Sequence, residues 1–435
     1  MPDHAHSSDP AVQAQLDRLW ALSPGADVLG LERIARLLAR LGDPHRRLPP
    51  VFHVAGTNGK GSTCAFLRAA LEAAGLRVHA YTSPHLVRFN ERIRVAGRLI
   101  DDDALAPMLA EVLDQAGGIG ASFFEVTTAA AFLQFARNPA DACVIEVGLG
   151  GRLDATNVLA DPAATGIAAL GIDHQAWLGD TAELIAREKA GIAEPGRPLV
   201  TLAYPDPVAA AVREVAAAAG APVLAAGRDW SYRSEPDHIA YEDARGSVDL
   251  PLPALPGRHQ HANLALAAAM LRHQDRVAVP DAALRAAAIG VRWPARMQRL
   301  RGTGPLVRLL PDGAELWLDG GHNEDAAAAI APVVAERARG RPVHLVLGLL
   351  ANKDMAGVLR HLAPIADALT AVPVPDHADH APESLAQAAR SAGLSADAAP
   401  DVPAALAGID ALVVLIAGSL YLAGEVLRLN DEPPD

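Results

Sequence analysis

Cysteine and aromatic residues are scarce in this chain, and each scarcity limits what the protein can be. The two cysteines, Cys64 and Cys143, both lie in apolar segments, so we expect buried thiols and no disulfide framework. Aromatic residues make up only 4% of a sequence that is 51% hydrophobic. This balance is typical of globular proteins whose alanine-rich helices pack closely on strands. Together these features predict a cytoplasmic protein.

Long hydrophobic runs and a secretory signal are also lacking. The longest charge-free apolar stretch near the carboxyl end, residues 411–424, is too short to span a bilayer. The amino-terminal residues MPDHAHSSDP have neither the basic start nor the apolar segment of a signal peptide. We therefore expect no membrane partner.

Basic residues are outnumbered by acidic ones, 38 to 51, which gives a formal net charge of −13. Binding to nucleic acid needs a basic face that neutralises phosphates, so this balance argues against a nucleic-acid partner. One local basic stretch runs from Arg88 to Arg98 and alternates with apolar residues. It predicts either a strand with one solvated face or a site for an anionic substrate.

Lysine is the scarcest basic residue, since only Lys60, Lys189 and Lys353 occur among the 38 basic positions. Arginine carries a permanent charge on a forked group, whereas lysine offers a compact amine whose pKa can fall and which can react. A lysine kept in such a chain is therefore a candidate for chemistry that arginine cannot supply. We allow that one of the three lysines is retained by chance at a surface position.

Short apolar strands alternate with helical stretches over most of the sequence, which predicts an α/β fold with a largely parallel sheet. The length of 435 residues suits two domains. We expect a larger phosphate-loop domain over residues 1–295 and a smaller Rossmann-like domain over residues 296–435, because the pattern breaks near residues 291–298. The predicted strands cover residues 51–55, 77–81, 142–147, 163–170, 199–203, 316–319, 343–347 and 411–417.

The most specific local pattern is GTNGKGST, which joins the predicted strand 51–55 to a helix predicted over residues 60–74. In this context glycines turn backbone N–H groups toward phosphates, and the helix N-terminus adds partial positive charge. Lys60 would reach the β- and γ-phosphates, and Ser62 or Thr63 could offer a hydroxyl to Mg²⁺. The alternative is a tight strand-to-helix turn without a ligand.

This loop departs from the common P-loop pattern at two positions. Val54 stands where that pattern has its first glycine, and Gly61 follows the lysine where serine or threonine is usual.

Polar side chains follow two of the predicted strands. Glu146 ends the strand 142–147, and His174 follows the strand 163–170. Both would emerge at the carboxyl edge of the sheet, where open α/β sheets bind ligands. A carboxylate there suits Mg²⁺. For His174, a satisfied histidine near the core is the alternative.

The variant loop resembles that of the folylpolyglutamate synthases and their relatives, the Mur ligases, and the resemblance continues along nearly the whole chain. The chain departs from the family pattern at Ala295, Gly321 and Asn352. The further matching stretches are SPHLVRFNERIRVAG at 83–97, FFE at 123–125, EVGLGGRLDATN at 146–157, IDH at 172–174, REKAGI at 187–192, GRHQHAN at 257–263 and DGGHN at 319–323.

The resemblance implies a role for each matching position. It implies ATP binding by Gly56, Thr57, Asn58, Gly59, Lys60, Gly61, Ser62, Asn263, Arg296 and Asp319, and metal binding by Ser83, Glu146 and His174. For the folate or dihydropteroate it implies Ser122, Phe123, Phe124, Glu125, Leu153, Asp154 and Ala155. For glutamate it implies His322, Lys353 and Ser419, with Lys60, Lys189 and His322 as the catalytic residues.

Lys189 resembles a family lysine that CO₂ carbamylates, which turns its amine into a carboxylate that supports the metal site. That reaction needs a neutral amine, so burial has to lower the pKa of Lys189 first. The alternative is an ion pair with Glu188 on a helix surface, although adjacent helical residues do not face each other.

The implied activity is ligation of glutamate to a folate-type carboxylate in the cytoplasm, by a monomer that uses ATP and two Mg²⁺ ions. The resemblance favours a bifunctional dihydrofolate synthase/folylpolyglutamate synthase over a monofunctional folylpolyglutamate synthase. A Mur-type cell-wall ligase would need a UDP-sugar domain, and only 55 residues precede the loop. A P-loop kinase or NTPase without ligation would leave the second domain and the matches at 146–157 and 187–192 unexplained. A nucleotide-sensing binding module without turnover is a further alternative, which phosphate release only with both folate and glutamate present would exclude.

Overall fold

The computed structural model describes residues 6–22 and 29–435. The chain divides into two compact units. The first comprises the described residues up to Ala254 together with His259–Arg292, and the second comprises Leu255–Arg258 together with Trp293–Asp435. Both units are built from strands and helices around a mostly parallel sheet, so the predicted α/β class is confirmed.

The elements of the first unit follow the predicted alternation of strands and helices. The helices are α1 (Pro10–Trp20), α2 (Glu32–Arg40), α3 (Lys60–Ala73), α4 (Asp102–Ala116), α5 (Phe123–Arg137), α6 (Gln175–Leu178), α7 (Ala182–Ala190), α8 (Asp206–Ala219), α9 (Arg258–Arg272) and α10 (Asp281–Gly290). The strands are β1 (Val51–Ala55), β2 (Val78–Tyr81), β3 (Ile93–Val95), β4 (Arg98–Leu99), β5 (Ala142–Glu146), β6 (Ala164–Ile167), β7 (Leu199–Thr201), β8 (Val223–Ala225), β9 (Trp230–Ser234), β10 (His238–Asp243) and β11 (Gly246–Pro251).

An eight-stranded sheet in the order β4-β3-β2-β5-β1-β6-β7-β8 forms the centre of the first unit. The strands from β2 to β8 in this order are parallel, whereas β3 and β4 pair antiparallel at one edge. β1 and β5 are buried along their whole length, which explains why both sequences are mostly apolar. The segments that follow β2, β5, β1 and β6 therefore meet at one edge of the sheet. The two cysteines are buried free thiols, as expected.

The basic stretch 88–98 is not one strand with a solvated face. It begins as a short 3₁₀ helix, Phe89–Arg92, and only then enters β3 and β4. The Arg92 side chain is buried, with its guanidinium carbon 5.5 Å from the ring centroids of both Phe89 and Phe123. The first interpretation of this stretch was therefore wrong for Arg92, because an aromatic environment replaces solvent.

A separate three-stranded antiparallel sheet, β11-β10-β9, completes the first unit. No sequence pattern considered above predicted this sheet. Its strands are only partly buried, and the rings of Trp230 and Tyr241 stack across it with centroids 5.9 Å apart.

The second unit is a smaller α/β sandwich of helices on a six-stranded sheet. Its helices are α11 (Glu324–Ala338), α12 (Met355–Leu362), α13 (Pro382–Ser391), α14 (Val402–Leu406) and α15 (Leu420–Leu429). Its strands are β12 (Gln298–Arg299), β13 (Glu315–Leu318), β14 (Val343–Leu347), β15 (Ala368–Ala371), β16 (Ser395–Ala398) and β17 (Val413–Ala417), in the sheet order β12-β13-β17-β14-β15-β16. Only β12 pairs antiparallel in this sheet, so the segments after β13, β17 and β14 share its carboxyl edge.

Among the described helices, none combines the length and the apolar character that crossing a membrane requires.

Candidate functional site

The predicted phosphate loop is the turn between β1 and α3. Gly59 has a φ of 83°, in the left-handed region that favours glycine. A Cβ atom at Gly59 would lie 2.4 Å from Oδ1 of Asn263, so the side chain of Asn263 packs directly against the loop. Both were predicted as ATP contacts, and the structure brings them together.

Backbone contacts hold the first half of this loop in place. The N–H groups of Thr57 and Asn58 donate to the carbonyl oxygen of Ala169 over 2.8 and 3.1 Å. The Thr57 hydroxyl donates to the carbonyl oxygen of Gly171 over 3.0 Å. At the start of α3, which begins at Lys60, no described side chain caps the helix, so its first N–H groups are suited to an anion.

Two hydroxyls directly after Lys60 lie buried in the described structure without a hydrogen-bond partner. They belong to Ser62 and Thr63, whose exposed fractions are 1% and 0%. Buried hydroxyls are normally hydrogen-bonded, so this pair indicates a place for a ligand or an ion. The amine of Lys60 donates to the carbonyl oxygens of Gly56 and Thr57 over 3.0 and 3.2 Å.

Lys189 reaches the same loop from α7. Its side-chain nitrogen donates to the carbonyl oxygen of Gly56 over 2.9 Å, and the residue is 3% exposed. Burial, and then the charge of Lys60, lower the pKa of Lys189 to about 7, against the opposing carboxylates of Asp173 and Asp154. A neutral amine is therefore accessible near neutral pH.

The ion pair proposed as the alternative for Lys189 is wrong. Glu188 points elsewhere, because its Oε1 accepts a hydrogen bond from Nη2 of Arg152 over 2.8 Å. Helix α7 thus presents its two neighbouring charges on different sides, one to Arg152 and one to the phosphate loop.

The three predicted metal ligands are only partly brought together. The N–H of Ser83 donates to Oε2 of Glu146 over 3.2 Å, since β2 and β5 are neighbours. Glu146 is 4% exposed, whereas His174 lies on an exposed turn before α6 with a φ of 54°. Within residues 6–22 and 29–435, no three or more histidine, cysteine, aspartate or glutamate side chains cluster as a metal site.

The first predicted folate segment starts α5. Ser122 and Glu125 form a capping box, in which the Glu125 N–H donates to the Ser122 hydroxyl and the Ser122 N–H donates to Oε2 of Glu125. Oε2 of Glu125 also accepts from Nε of Arg33 over 3.0 Å. Its other oxygen, Oε1, is buried without a partner in the described structure.

The second predicted folate segment lies in the turn after β5. Leu153 is half-buried there, and Asp154 and Ala155 are buried. A Cβ atom at Gly148, in the same turn, would lie 2.3 Å from Cζ of Phe124. The ring of Phe124 therefore packs on this turn, and the two folate segments meet.

Two residues outside the predicted set lie beside Asp154. His53 Nε2 lies 2.9 Å from the Thr156 hydroxyl oxygen, and that hydroxyl donates to Oδ1 of Asp154. One signal could have indicated His53, because it is a single polar residue within the apolar strand VFHVA.

In the second unit, Asp319 joins two segments that carry predicted ATP contacts. Its Oδ2 accepts from the N–H of Met297 over 2.8 Å, and its Oδ1 accepts from the N–H of Gly321 over 2.7 Å. A Cβ atom at Gly320 would lie 3.2 Å from Nη1 of Arg296, so Arg296 and the segment after β13 are in contact.

The predicted glutamate residues His322, Ser419 and Lys353 follow β13, β17 and β14, which are adjacent strands. The N–H of Gly418 donates to the carbonyl oxygen of Gly321 over 3.0 Å, so the first two segments touch. Ser419 is 2% exposed and caps α15, its hydroxyl accepting from the N–H of Tyr421 over 3.1 Å. The three positions thus share one edge of this sheet.

The sequence is similar to known proteins along most of its length. Residues 54–271 match the Mur ligase middle domain, and residues 296–420 match the Mur ligase, glutamate ligase domain. The dihydrofolate synthase/folylpolyglutamate synthase of Bacillus subtilis is 36% identical over 364 residues, which cover 78% of this chain and 80% of that protein.

The fold is also similar to that of solved structures over nearly the whole chain. The structure of Escherichia coli FolC in complex with DHPP and ADP matches with a TM-score of 0.87 at 32% identity, over 98% of both chains. A bifunctional folylpolyglutamate synthase/dihydrofolate synthase with Mn, AMPPNP and L-glutamate bound matches with a TM-score of 0.83 at 33% identity, over 97% of this chain and 98% of that one.

Proposed function

The chain belongs to the dihydrofolate synthase/folylpolyglutamate synthase family of Mur ligases, and we propose that it ligates L-glutamate both to dihydropteroate and to the γ-carboxylate of reduced folates. It is an ATP-dependent ligase, as the resemblance implied. The observation that carries the assignment is the match over 98% of both chains to an enzyme whose structure holds DHPP and ADP.

The reaction proceeds in two steps. A substrate carboxylate oxygen attacks the γ-phosphorus of ATP, the bond to the β–γ bridging oxygen breaks, and ADP leaves an acyl phosphate behind. The α-amine of glutamate then attacks the acyl carbon, loses a proton, and phosphate leaves. No enzyme nucleophile is needed, so the protein contributes positioning and charge neutralisation. The N-terminus of α3 and the amine of Lys60 supply positive charge to the phosphates.

Ser62, Ser83 and Glu146 would hold a divalent metal ion, with His174 as a further ligand, and we assign it as Mg²⁺, two ions per active site. The donor set supports this assignment, because the Ser62 hydroxyl is buried without a partner in the described structure and the Glu146 carboxylate is 4% exposed. Oxygen ligands of this kind suit a hard divalent cation. Bound there, the metal would neutralise charge on the β- and γ-phosphates.

Lys189 is proposed to act as a carbamate. Its amine is buried, and its pKa of about 7 leaves a large neutral fraction for reaction with CO₂. The product would be a carboxylate next to the loop, where Gly56 now accepts from the amine. Arginine could not form it, which fits the retention of this lysine.

Substrate binding follows the predicted residues. Phe124 packs on Gly148 and Asp154 accepts from the N–H of Leu149, so both side chains contact the turn after β5 and support a folate-binding surface in the first unit. In the second unit, His322, Lys353 and Ser419 are proposed to contact glutamate, and Arg296 and Asp319 to contact ATP. The cytoplasmic location and the monomeric state remain predictions from the sequence.

One assay tests the proposal. The purified protein receives ATP, Mg²⁺ and L-glutamate with either dihydropteroate or tetrahydrofolate, and ADP release and the mass of the product are measured. We expect each substrate to gain one glutamate, with phosphate release that requires both the acceptor and glutamate. The bifunctional assignment is falsified if dihydropteroate gives no product, and the ligase assignment fails if neither acceptor does. Phosphate release without glutamate would indicate a simple ATPase.

A further inference from the structure

A hydrogen-bonded series crosses the core from the strand that carries the phosphate loop to the turn that carries Asp154. It begins at His53 in the middle of β1, which is 1% exposed. The Thr156 hydroxyl donates to Oδ1 of Asp154, so its oxygen accepts from Nε2 of His53, 2.9 Å away. His53 is therefore the donor at the start of the series, with its hydrogen on Nε2.

The series ends at the carboxylate of Asp154, which accepts hydrogen bonds from several backbone N–H groups of the turn. Oδ1 of Asp154 also accepts from the N–H of Thr156 over 3.0 Å, and Oδ2 accepts from the N–H of Leu149 over 2.8 Å. The N–H of Gly148 donates to it as well. The backbone of residues 148–156 is thus folded around one buried side chain, and the ring of Phe124 packs on that backbone at Gly148.

The electrostatics of the series agree with this arrangement. Burial lowers the pKa of His53 to about 3, so its imidazole is neutral and can act as a donor without bringing a second charge. Burial raises the pKa of Asp154, whereas the donors from Thr156, Leu149 and Gly148 oppose that rise. Without the Thr156 hydroxyl, a buried carboxylate would lose a donor and a buried histidine would lose its acceptor.

We propose that His53 and Thr156 are positioning residues for the folate-type substrate, because they fix Asp154 and the turn beneath Phe124 to β1. This inference rests on the proposed function. It also explains why a polar residue interrupts an otherwise apolar, fully buried strand. Gly56, at the end of β1, belongs to the ATP side, so one strand sets the position of both substrate sites.

Four substitutions and one control test the proposal. Thr156→Val keeps the shape but removes the hydroxyl, and Thr156→Ser keeps the hydroxyl. His53→Leu removes the donor, and His53→Gln retains an N–H donor. Thr165→Val is the control, since Thr165 is buried, pairs with His53 across β1 and β6, and donates only to the carbonyl oxygen of Pro198 in the described structure.

Steady-state kinetics with dihydropteroate and ATP, each varied in turn, supply the measurement. For Thr156→Val and His53→Leu we expect the KM for dihydropteroate to rise about tenfold, as loss of a buried hydrogen bond implies. The KM for ATP should stay within about twofold of wild type, by the same scale. Thr156→Ser and His53→Gln should recover most of the loss, and Thr165→Val should resemble wild type.

Several outcomes would overturn the proposal. One is an equal rise in both KM values, and another is a fall in kcat with both KM values unchanged, since either result describes general structural damage. A Thr156→Ser variant as impaired as Thr156→Val would also contradict it. If Thr156→Val does not fold, His53→Leu and His53→Gln test the proposal through the same comparison of the KM for dihydropteroate with the KM for ATP. An inactive wild-type protein would instead refute the proposed function.

Discussion

The side-chain nitrogen of Lys189 and the carbonyl oxygen of Gly56 are joined by a hydrogen bond of 2.9 Å, and the same oxygen accepts from Lys60 over 3.0 Å. Two amines therefore meet at one carbonyl of the phosphate loop. Burial, and then the charge of Lys60, lower the pKa of Lys189. This relationship leads to the first two predictions.

Activity should depend on dissolved CO₂ through Lys189. Removing CO₂ from the assay should lower kcat, and adding bicarbonate should restore it, more fully above pH 7 than below because the amine must be neutral. With ¹³C-labelled bicarbonate, a carbamate signal should appear in the NMR spectrum of the wild type and not in that of Lys189→Arg. Arg187→Lys, a change at the exposed pair with Glu214, serves as the control. A carbamate signal that survives in Lys189→Arg would refute the assignment to this side chain.

The free energy of unfolding should depend on pH because of the same amine. The pKa of Lys189 is about 7 in the folded chain and 10.5 in the unfolded one. Between these values the unfolded chain binds a proton that the folded chain has released, so stability should rise with pH by at most about 1.4 kcal/mol per pH unit. Below pH 7 the penalty is constant.

Urea unfolding in CO₂-free buffers measures this effect, with Lys189→Met as the reference. The difference in unfolding free energy between wild type and the variant should stay flat below pH 7 and shift in favour of wild type above it. Parallel curves across the whole range would show that Lys189 keeps an ordinary pKa.

Lys60→Arg should reduce kcat by about a hundredfold or more, the usual scale for a charge that stabilises the transition state. A forked guanidinium cannot occupy the place of an amine that lies 3.0 Å from the carbonyl oxygen of Gly56. ADP release under saturating substrates gives kcat. Arg68→Lys, on the same helix and paired with Glu72, is the matched exchange and should leave kcat unchanged. Near-normal turnover by Lys60→Arg would mean that any positive charge suffices.

Gly148→Ala should weaken binding of the folate-type substrate. The added Cβ would lie 2.3 Å from the ring of Phe124, so the ring has to move from the turn. We expect the KM for dihydropteroate to rise about tenfold, as for loss of a well-packed aromatic contact. Gly290→Ala, where an added Cβ meets no atom within 4 Å, is the control. An unchanged KM in Gly148→Ala would indicate that Phe124 does not support the substrate.

The sequence predicted most of the fold around the phosphate loop because those elements are locally specified. The strand predicted over residues 51–55 is β1, Val51–Ala55, and the helix starts at Lys60 as expected. The strand predicted over residues 163–170 ends earlier, at Ile167, because Ala169 turns its carbonyl oxygen toward the N–H groups of the loop. Apolar composition alone does not reveal such a change of partner.

The contacts within the candidate site were harder to predict than the identities of its residues. The sequence named Lys189 and Gly56 separately, but they are 133 positions apart, and their contact depends on how α7 packs against the loop. Thr156 lies in the matching stretch 146–157 but received no role, because its contact with His53 depends on how β1 and the turn after β5 pack together. The exposure of His174 likewise follows from the turn before α6, which hydrophobic spacing does not encode.

The scarcity of lysine has a practical consequence for chemical labelling. Lys189 is buried and both Lys60 and Lys353 are half-buried, so no lysine side chain is fully exposed. Amine-directed reagents, which modify the surface of most proteins at many points, would find their few targets here beside the loop and at the edge of the second sheet. Because Lys60 is proposed to contact the phosphates of ATP, we expect nucleotide to lower the degree of acylation at Lys60, as read by mass spectrometry without any engineered probe.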